Sequence, residues 1–145
     1  MTLRLFNNIF FNILKQVFKR LFSIDKSILI GKNTKVTKSE FGGTVIIGDR
    51  CLIHKVFVAG NVNIGNNTSL WGPNIQILSR IHPVTIGSFC SIARDVTIQE
   101  YYHNIDKLTT YFIGKNVFSE PFANEVVSKG PITIGSDVWI GTGAQ

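Results

Sequence analysis

This chain of 145 residues has few cysteines, few charges and no long apolar run. Two cysteines are too few for a disulfide framework. No stretch of about 18 apolar residues occurs, which excludes a spanning helix. Charged residues make up only 17%, beside 44% hydrophobic residues, a balance that suits a folded chain rather than a disordered one. The acidic residues number nine against fifteen basic, giving a net charge of +6. That excess is uneven. Residues 1–26 hold Arg4, Lys15, Lys19, Arg20 and Lys26 against Asp25, five minus one, which leaves +2 for the rest. A basic leading segment on a near-neutral body lacks the long basic stripe of a nucleic-acid binder. Close histidine pairs are also missing. His54, His82 and His103 lie 28 and 21 residues apart, so no pair is placed to give a metal two ligands at once. The length is enough for one domain.

What the sequence does have is a repeat. Isoleucine followed by glycine recurs at Ile30-Gly31, Ile47-Gly48, Ile64-Gly65, Ile86-Gly87, Ile134-Gly135 and Ile140-Gly141. Four residues after each Ile stands a small or short-branched residue: Thr34, Cys51, Thr68, Cys90, Val138 and Ala144. Within the units the period is six, as in Ile30 and Val36, Ile47 and Ile53, Ile64 and Leu70, or Ile86, Ile92 and Ile98. Neither a helix nor an alternating strand repeats at six, so the period points to a solenoid. Short strands bury the Ile and the residue four later. Gly or a small polar residue turns the backbone between them. Three units close one triangular coil, and coils stack by main-chain hydrogen bonds. Cys51 and Cys90 then fill a narrow interior as free thiols.

Two departures mark the repeat. Ile30, Ile47 and Ile64 lie 17 apart, one short of three units, whereas Ile64 to Ile86 is 22. Corner deletions and bulges must absorb these slips, and residues 79–83 read as one excursion. The larger departure is a loop over 99–131. It holds six of the sixteen aromatics: Tyr101, Tyr102, Tyr111, Phe112, Phe118 and Phe122. Loops this long in compact domains are functional or disordered, and the aromatic content favours function.

The chain thus divides at residue 27. Residues 3–22 are predicted to form an amphipathic helix. Leu3, Phe6, Phe10, Ile13, Leu14, Val17 and Leu21 share its apolar face. Lys15 and Gln16 interrupt it too early for a signal peptide. Two uses remain open: a cap on the end of the domain, or a helix lying on an anionic membrane surface.

Two stretches carry a family resemblance. The first runs Ile86-Gly87-Ser88-Phe89-Cys90-Ser91-Ile92-Ala93, then Tyr102-His103-Asn104, then Leu108-Thr109-Thr110-Tyr111-Phe112. The second is Pro131-Ile132-Thr133-Ile134-Gly135-Ser136-Asp137-Val138-Trp139-Ile140-Gly141-Thr142-Gly143-Ala144. Over residues 28–145 the chain resembles the hexapeptide-repeat acyltransferases. The nearest branch holds the streptogramin and chloramphenicol types of xenobiotic acetyltransferase and the bacterial surface-polysaccharide O-acetyltransferases. The resemblance implies an all-β fold, a left-handed parallel β-helix, against the usual right-handed crossover. It implies a homotrimer with sites between subunits. It also implies acetyl transfer from acetyl-CoA to a hydroxyl, without a metal.

Residue by residue, His103 matches the loop histidine that serves as general base. Trp139 and Thr142 match positions beside the CoA pantetheine. Tyr111 and Phe112 stand at the acceptor side, where the family has Tyr-Pro-Phe; the proline is missing here. The expected acceptor is a sugar hydroxyl in surface-polysaccharide assembly, with an antibiotic hydroxyl as the second choice. The expected location is the cytoplasm, with peripheral contact of residues 3–22 at the inner membrane face. Relatives continue with further coils beyond the Trp-Ile-Gly unit. The expectation is therefore a C-terminally shortened member of the family, with a non-catalytic fragment as the competing reading. A zinc enzyme of the γ-carbonic anhydrase kind, which uses the same solenoid, is disfavoured by the histidine spacing.

Overall fold

The computed structural model describes residues 28–145, and the helix expected over 3–22 lies outside the described residues. Those residues form a parallel β-solenoid of about four turns. Short strands come first: β1 (Ile28–Ile30), β2 (Lys35–Thr37) and β3 (Glu40–Ile47). Two longer ones follow, β4 (Leu52–Ile64) and β5 (Ser69–Leu78), each bending round a corner of the coil. Then come β6 (Val84–Ile86), β7 (Ser91–Ile92) and β8 (Thr97–Gln99). After an arm, β11 (Ile132–Ile134) and β12 (Trp139–Ile140) resume the stack.

The stacking register gives three columns of strands. On the first face, Val45 lies on Ile28, Val62 on Val45, Val84 on Val62 and Ile132 on Val84. The second face stacks Lys35, Leu52, Ser69, Ser91 and Trp139. The third stacks Phe57, Gln76 and Thr97. Alternation along each strand turns one set of side chains inward. Ile47, Ile64 and Ile86 fill the interior from the first face, Ile53, Leu70 and Ile92 from the second, Val58, Ile77 and Ile98 from the third. Nearly all are solvent-free. Burial of three apolar columns along one axis is what holds coils that touch only their neighbours.

The position four after each Ile is more than a space filler. Thr34 Oγ1 donates to the Gly48 carbonyl at 2.6 Å, and Cys51 Sγ to the Gly65 carbonyl at 3.1 Å. Thr68 Oγ1 donates to Gly87 at 2.9 Å, and Cys90 Sγ to Gly135 at 3.1 Å. Each side chain thus ties its coil to the glycine of the next. The hydroxyls of Thr34 and Thr68 also accept from the amides of Cys51 and Cys90. Val138 ends this column without a donor. The sixth Ile-Gly pair belongs elsewhere: Ile140 pairs with Ile92 on the second face, so Ala144 falls outside the ladder.

A second ladder runs along the corner beside the glycines. Lys32 N–H donates to Asp49 Oδ1, Asp49 N–H to Asn66 Oδ1, Asn66 N–H to Ser88 Oγ and Ser88 N–H to Ser136 Oγ. One residue later the backbone turns through left-handed φ at Asn33, Arg50, Asn67, Phe89 and Asp137, between 54° and 62°. Asn and Asp tolerate that conformation; Phe89 does so at a steric cost.

The 22-residue step has two causes. His54 pairs with Trp71, 17 apart, yet Val56 pairs with Ile75, 19 apart. The two extra residues sit in Gly72-Pro73-Asn74. Gly72 passes so close to the carbonyls of His54 and Lys55 that a side chain would collide with them. Ala59 then pairs with Leu78, still 19 apart, and Val62 with Val84, 22 apart. The last three extra residues belong to the predicted excursion at 79–83. The interruption after β8 begins at Glu100, because Gln99 still pairs with Leu78.

Candidate functional site

The interruption is a folded arm. β9 (Tyr101–His103) and β10 (Val126–Ser128) pair antiparallel, setting Val126 opposite His103 and Ser128 opposite Tyr101. A helix α1 (Ile113–Phe118) and a 3₁₀ turn (Phe122–Glu125) fill the tip. A hairpin of two three-residue strands is marginal by itself, so the arm needs other ties.

Its root is tied by Glu100, which is 4% exposed. Its carboxylate accepts from the backbone N–H of Arg80 and Ile81 at Oε2 (2.8 and 3.0 Å) and of His82 at Oε1 (2.9 Å). Burial raises its pKa, but those three bonds and one from the Ser128 hydroxyl outweigh burial and hold the carboxyl below its ordinary 4.5. The same contacts lock the 79–83 excursion onto the arm. The tip is tied by Glu125, also buried, which accepts from Gly114 N–H at 3.2 Å and Lys107 Nζ at 3.4 Å.

Between these ties lies a stack of rings. The His103 imidazole lies parallel to the Phe112 ring, centroids 4.2 Å apart at 10°. Phe112 meets Phe122 edge-on at 4.7 Å, and Phe122 meets Tyr101 edge-on at 6.1 Å. Arg80 covers Phe122 with its guanidinium at 4.7 Å from the centroid, and Lys115 places its ammonium at 4.6 Å. The His103 ring is therefore held at the exposed end of an aromatic column whose other end is anchored to the solenoid excursion.

His103 Nδ1 lies 2.6 Å from the Thr110 carbonyl oxygen. A carbonyl only accepts, so Nδ1 carries the proton. In the neutral ring this leaves Nε2 with a free lone pair, the arrangement a general base requires. His103 is exposed.

The structure brings His103 and Phe112 into contact and leaves the other predicted site residues apart. Tyr111, next to Phe112 in the chain, is 58% exposed. Trp139, 79% exposed, stands on the second face of the solenoid, on the rung below Ser91, and Thr142 occupies the exposed turn after it. Among the described residues no hydrogen bond or ring contact joins either of them to His103. The three histidines occupy separate elements. His54 is on β4, His82 in the excursion and His103 on the arm, and among the described residues no three potential ligands gather. A cavity of about 480 Å³ opens between Lys107–Thr109 and α1, with Glu120 and Glu125 in its wall.

Sequence reasoning missed Glu100, Glu125, Arg80 and the Thr110 carbonyl. Burial of both acids, where charged side chains are normally exposed, requires a dense set of donors. Most of those donors are backbone amides, which no residue pattern announces. No known protein family, curated protein or solved structure matches the chain.

Proposed function

We propose that the protein is an acetyl-CoA-dependent O-acetyltransferase that acylates a hydroxyl of a sugar, with His103 as general base. One observation carries this reading: the Thr110 carbonyl fixes the Nδ1–H tautomer of the neutral ring while Phe112 stacks on it, which leaves the Nε2 lone pair free of that bond. An alcohol is a poor nucleophile near neutral pH. His103 takes its proton as the oxygen attacks the thioester carbonyl. The tetrahedral adduct then expels the thiolate of CoA, and the imidazolium returns the proton to that sulfur. The products are an ester and free CoA thiol, with no covalent enzyme intermediate.

The resemblance supplies the remaining parts. Trp139 and Thr142 flank the pantetheine, with backbone N–H there facing the developing oxyanion. Tyr111 and the cavity at the arm tip face the acceptor. In this reading the solenoid is left-handed and trimeric. The protein works in the cytoplasm, against the inner membrane face where surface polysaccharide is assembled. The test follows thiol release from acetyl-CoA in the presence of saccharide acceptors. His103→Ala lowers it at least about 100-fold with an unchanged circular dichroism spectrum. Equal thiol release by the variant overturns the assignment of the base.

A further inference from the structure

A parallel sheet puts side chains of successive coils in columns about 4.8 Å apart. On the second face of the solenoid this registers Thr37, His54 and Trp71 in one column and Lys35, Leu52 and Ser69 in the next. Register explains the local chemistry. The His54 ring stacks on the Trp71 indole, centroids 4.8 Å apart at 28°. His54 Nδ1 lies 2.8 Å from the Thr37 hydroxyl, which fixes the ring and turns Nε2 away from that bond. A cavity of about 490 Å³ opens over these residues, lined also by Leu52, Lys35 and Lys38. Trp71 is 58% exposed and Leu52 45%. Among the described residues neither lysine has an acidic partner.

We propose that this cavity binds an acidic saccharide, a chain of sugar rings bearing carboxylates. A sugar ring has an apolar C–H face that lies on Trp71 and Leu52, and equatorial hydroxyls that meet His54 Nε2 and the Thr37 hydroxyl. That mix of apolar lining and few polar groups is what small-molecule sites use. The two ammonium groups supply point charges for carboxylates. Phosphoanhydride ligands fit less well. They are held by converging backbone N–H groups, and those of this strand patch are committed to the coil-to-coil ladder. The site adds a charge requirement to the acceptor in the proposed reaction and rests on that reading for its role. Its binding is measurable without acetyl transfer.

The experiment uses the full chain labelled with ¹⁵N and follows the two tryptophan indole signals, with that of Trp71 assigned by its loss in Trp71→Phe. Trigalacturonic acid is the probe. Its addition shifts the Trp71 signal saturably, with Kd of roughly 1 mM or tighter. Neutral galactotriose, and the acidic probe on Lys35→Gln/Lys38→Gln, each bind at least about tenfold more weakly, a loss of about 1.4 kcal/mol. No saturable shift, equal binding of the neutral trisaccharide, unaltered binding by the double variant, or tighter binding of uridine diphosphate each overturns the proposal. The double variant keeps its exposed positions and changes no core residue, so folding is checked by its unchanged spectrum elsewhere. Thiol release lost in His103→Ala, with saccharide binding absent, leaves the enzyme reading standing without this site. Saccharide binding with no thiol release leaves the site standing without the enzyme.

Discussion

At the scale of single residues, the inner ladder decides which small side chains serve. Cys51 and Cys90 are legible in the sequence as interior fillers, because both fall four places after an Ile in a narrow core. That each also donates to a glycine carbonyl is not legible, since spacing gives direction but not the acceptor waiting there. The neighbouring rungs name the substitute: Thr34 and Thr68 do the same task. Cys51→Thr is expected to melt at or above the parent temperature. Cys51→Val, which removes the donor and leaves a buried carbonyl short of a partner, costs roughly 1 kcal/mol in denaturant unfolding. Phe89 gives a second case. Its φ of 62° is strained for a bulky side chain, and the ring is 63% exposed. Phe89→Gly therefore gains about 1 kcal/mol by relieving the strain, less the flexibility glycine returns to the unfolded chain. A loss of stability would mean that the ring makes contacts outweighing its backbone cost.

At the scale of elements, the root of the arm depends on one buried carboxylate. Glu100 joins three backbone amides of the 79–83 excursion to β9, so Glu100→Gln replaces an acceptor pair with an amide that offers one oxygen. The expected loss is roughly 2 kcal/mol near neutral pH. The sign of its pH dependence follows from the lowered pKa. A depressed carboxyl stabilises the fold above its unfolded value, and that contribution is lost as pH falls through the folded value. The stability gap between parent and Glu100→Gln is thus full at pH 7 and shrinks as pH falls below about 4.5, read by urea midpoints across that window. A gap that widens in acid would contradict the assignment. The arm's existence was legible, because the period of six lapses where aromatics gather. Its fold was not: Tyr101–His103 pairing with Val126–Ser128 depends on ties made through backbone amides. The slip at Gly72-Pro73-Asn74 was likewise hidden, since the sequence shows only the summed step of 22 and not its division between two corners.

At the scale of the whole molecule, the solenoid and its arm are separable tasks. Coils cohere through the three buried columns and the ladders, none of which involves residues 104–125. Replacing those residues with a short Gly-Ser link is expected to leave a parallel-sheet circular dichroism signal and abolish thiol release. A chain that no longer folds would show that the arm buttresses the coils as well. The columns were legible because a period of six leaves few architectures open, and the face assignments of Ile30, Ile47, Ile64, Ile86 and Ile134 follow from it. The meeting of His103 with the Thr110 carbonyl required the folded arm. The proposed activity requires the protein to take acetyl-CoA as donor, and isothermal calorimetry of acetyl-CoA into the purified chain tests this with no acceptor needed. Saturable binding with Kd in the micromolar range is the predicted result. Absence of binding up to about 1 mM, by soluble folded protein, would contradict it.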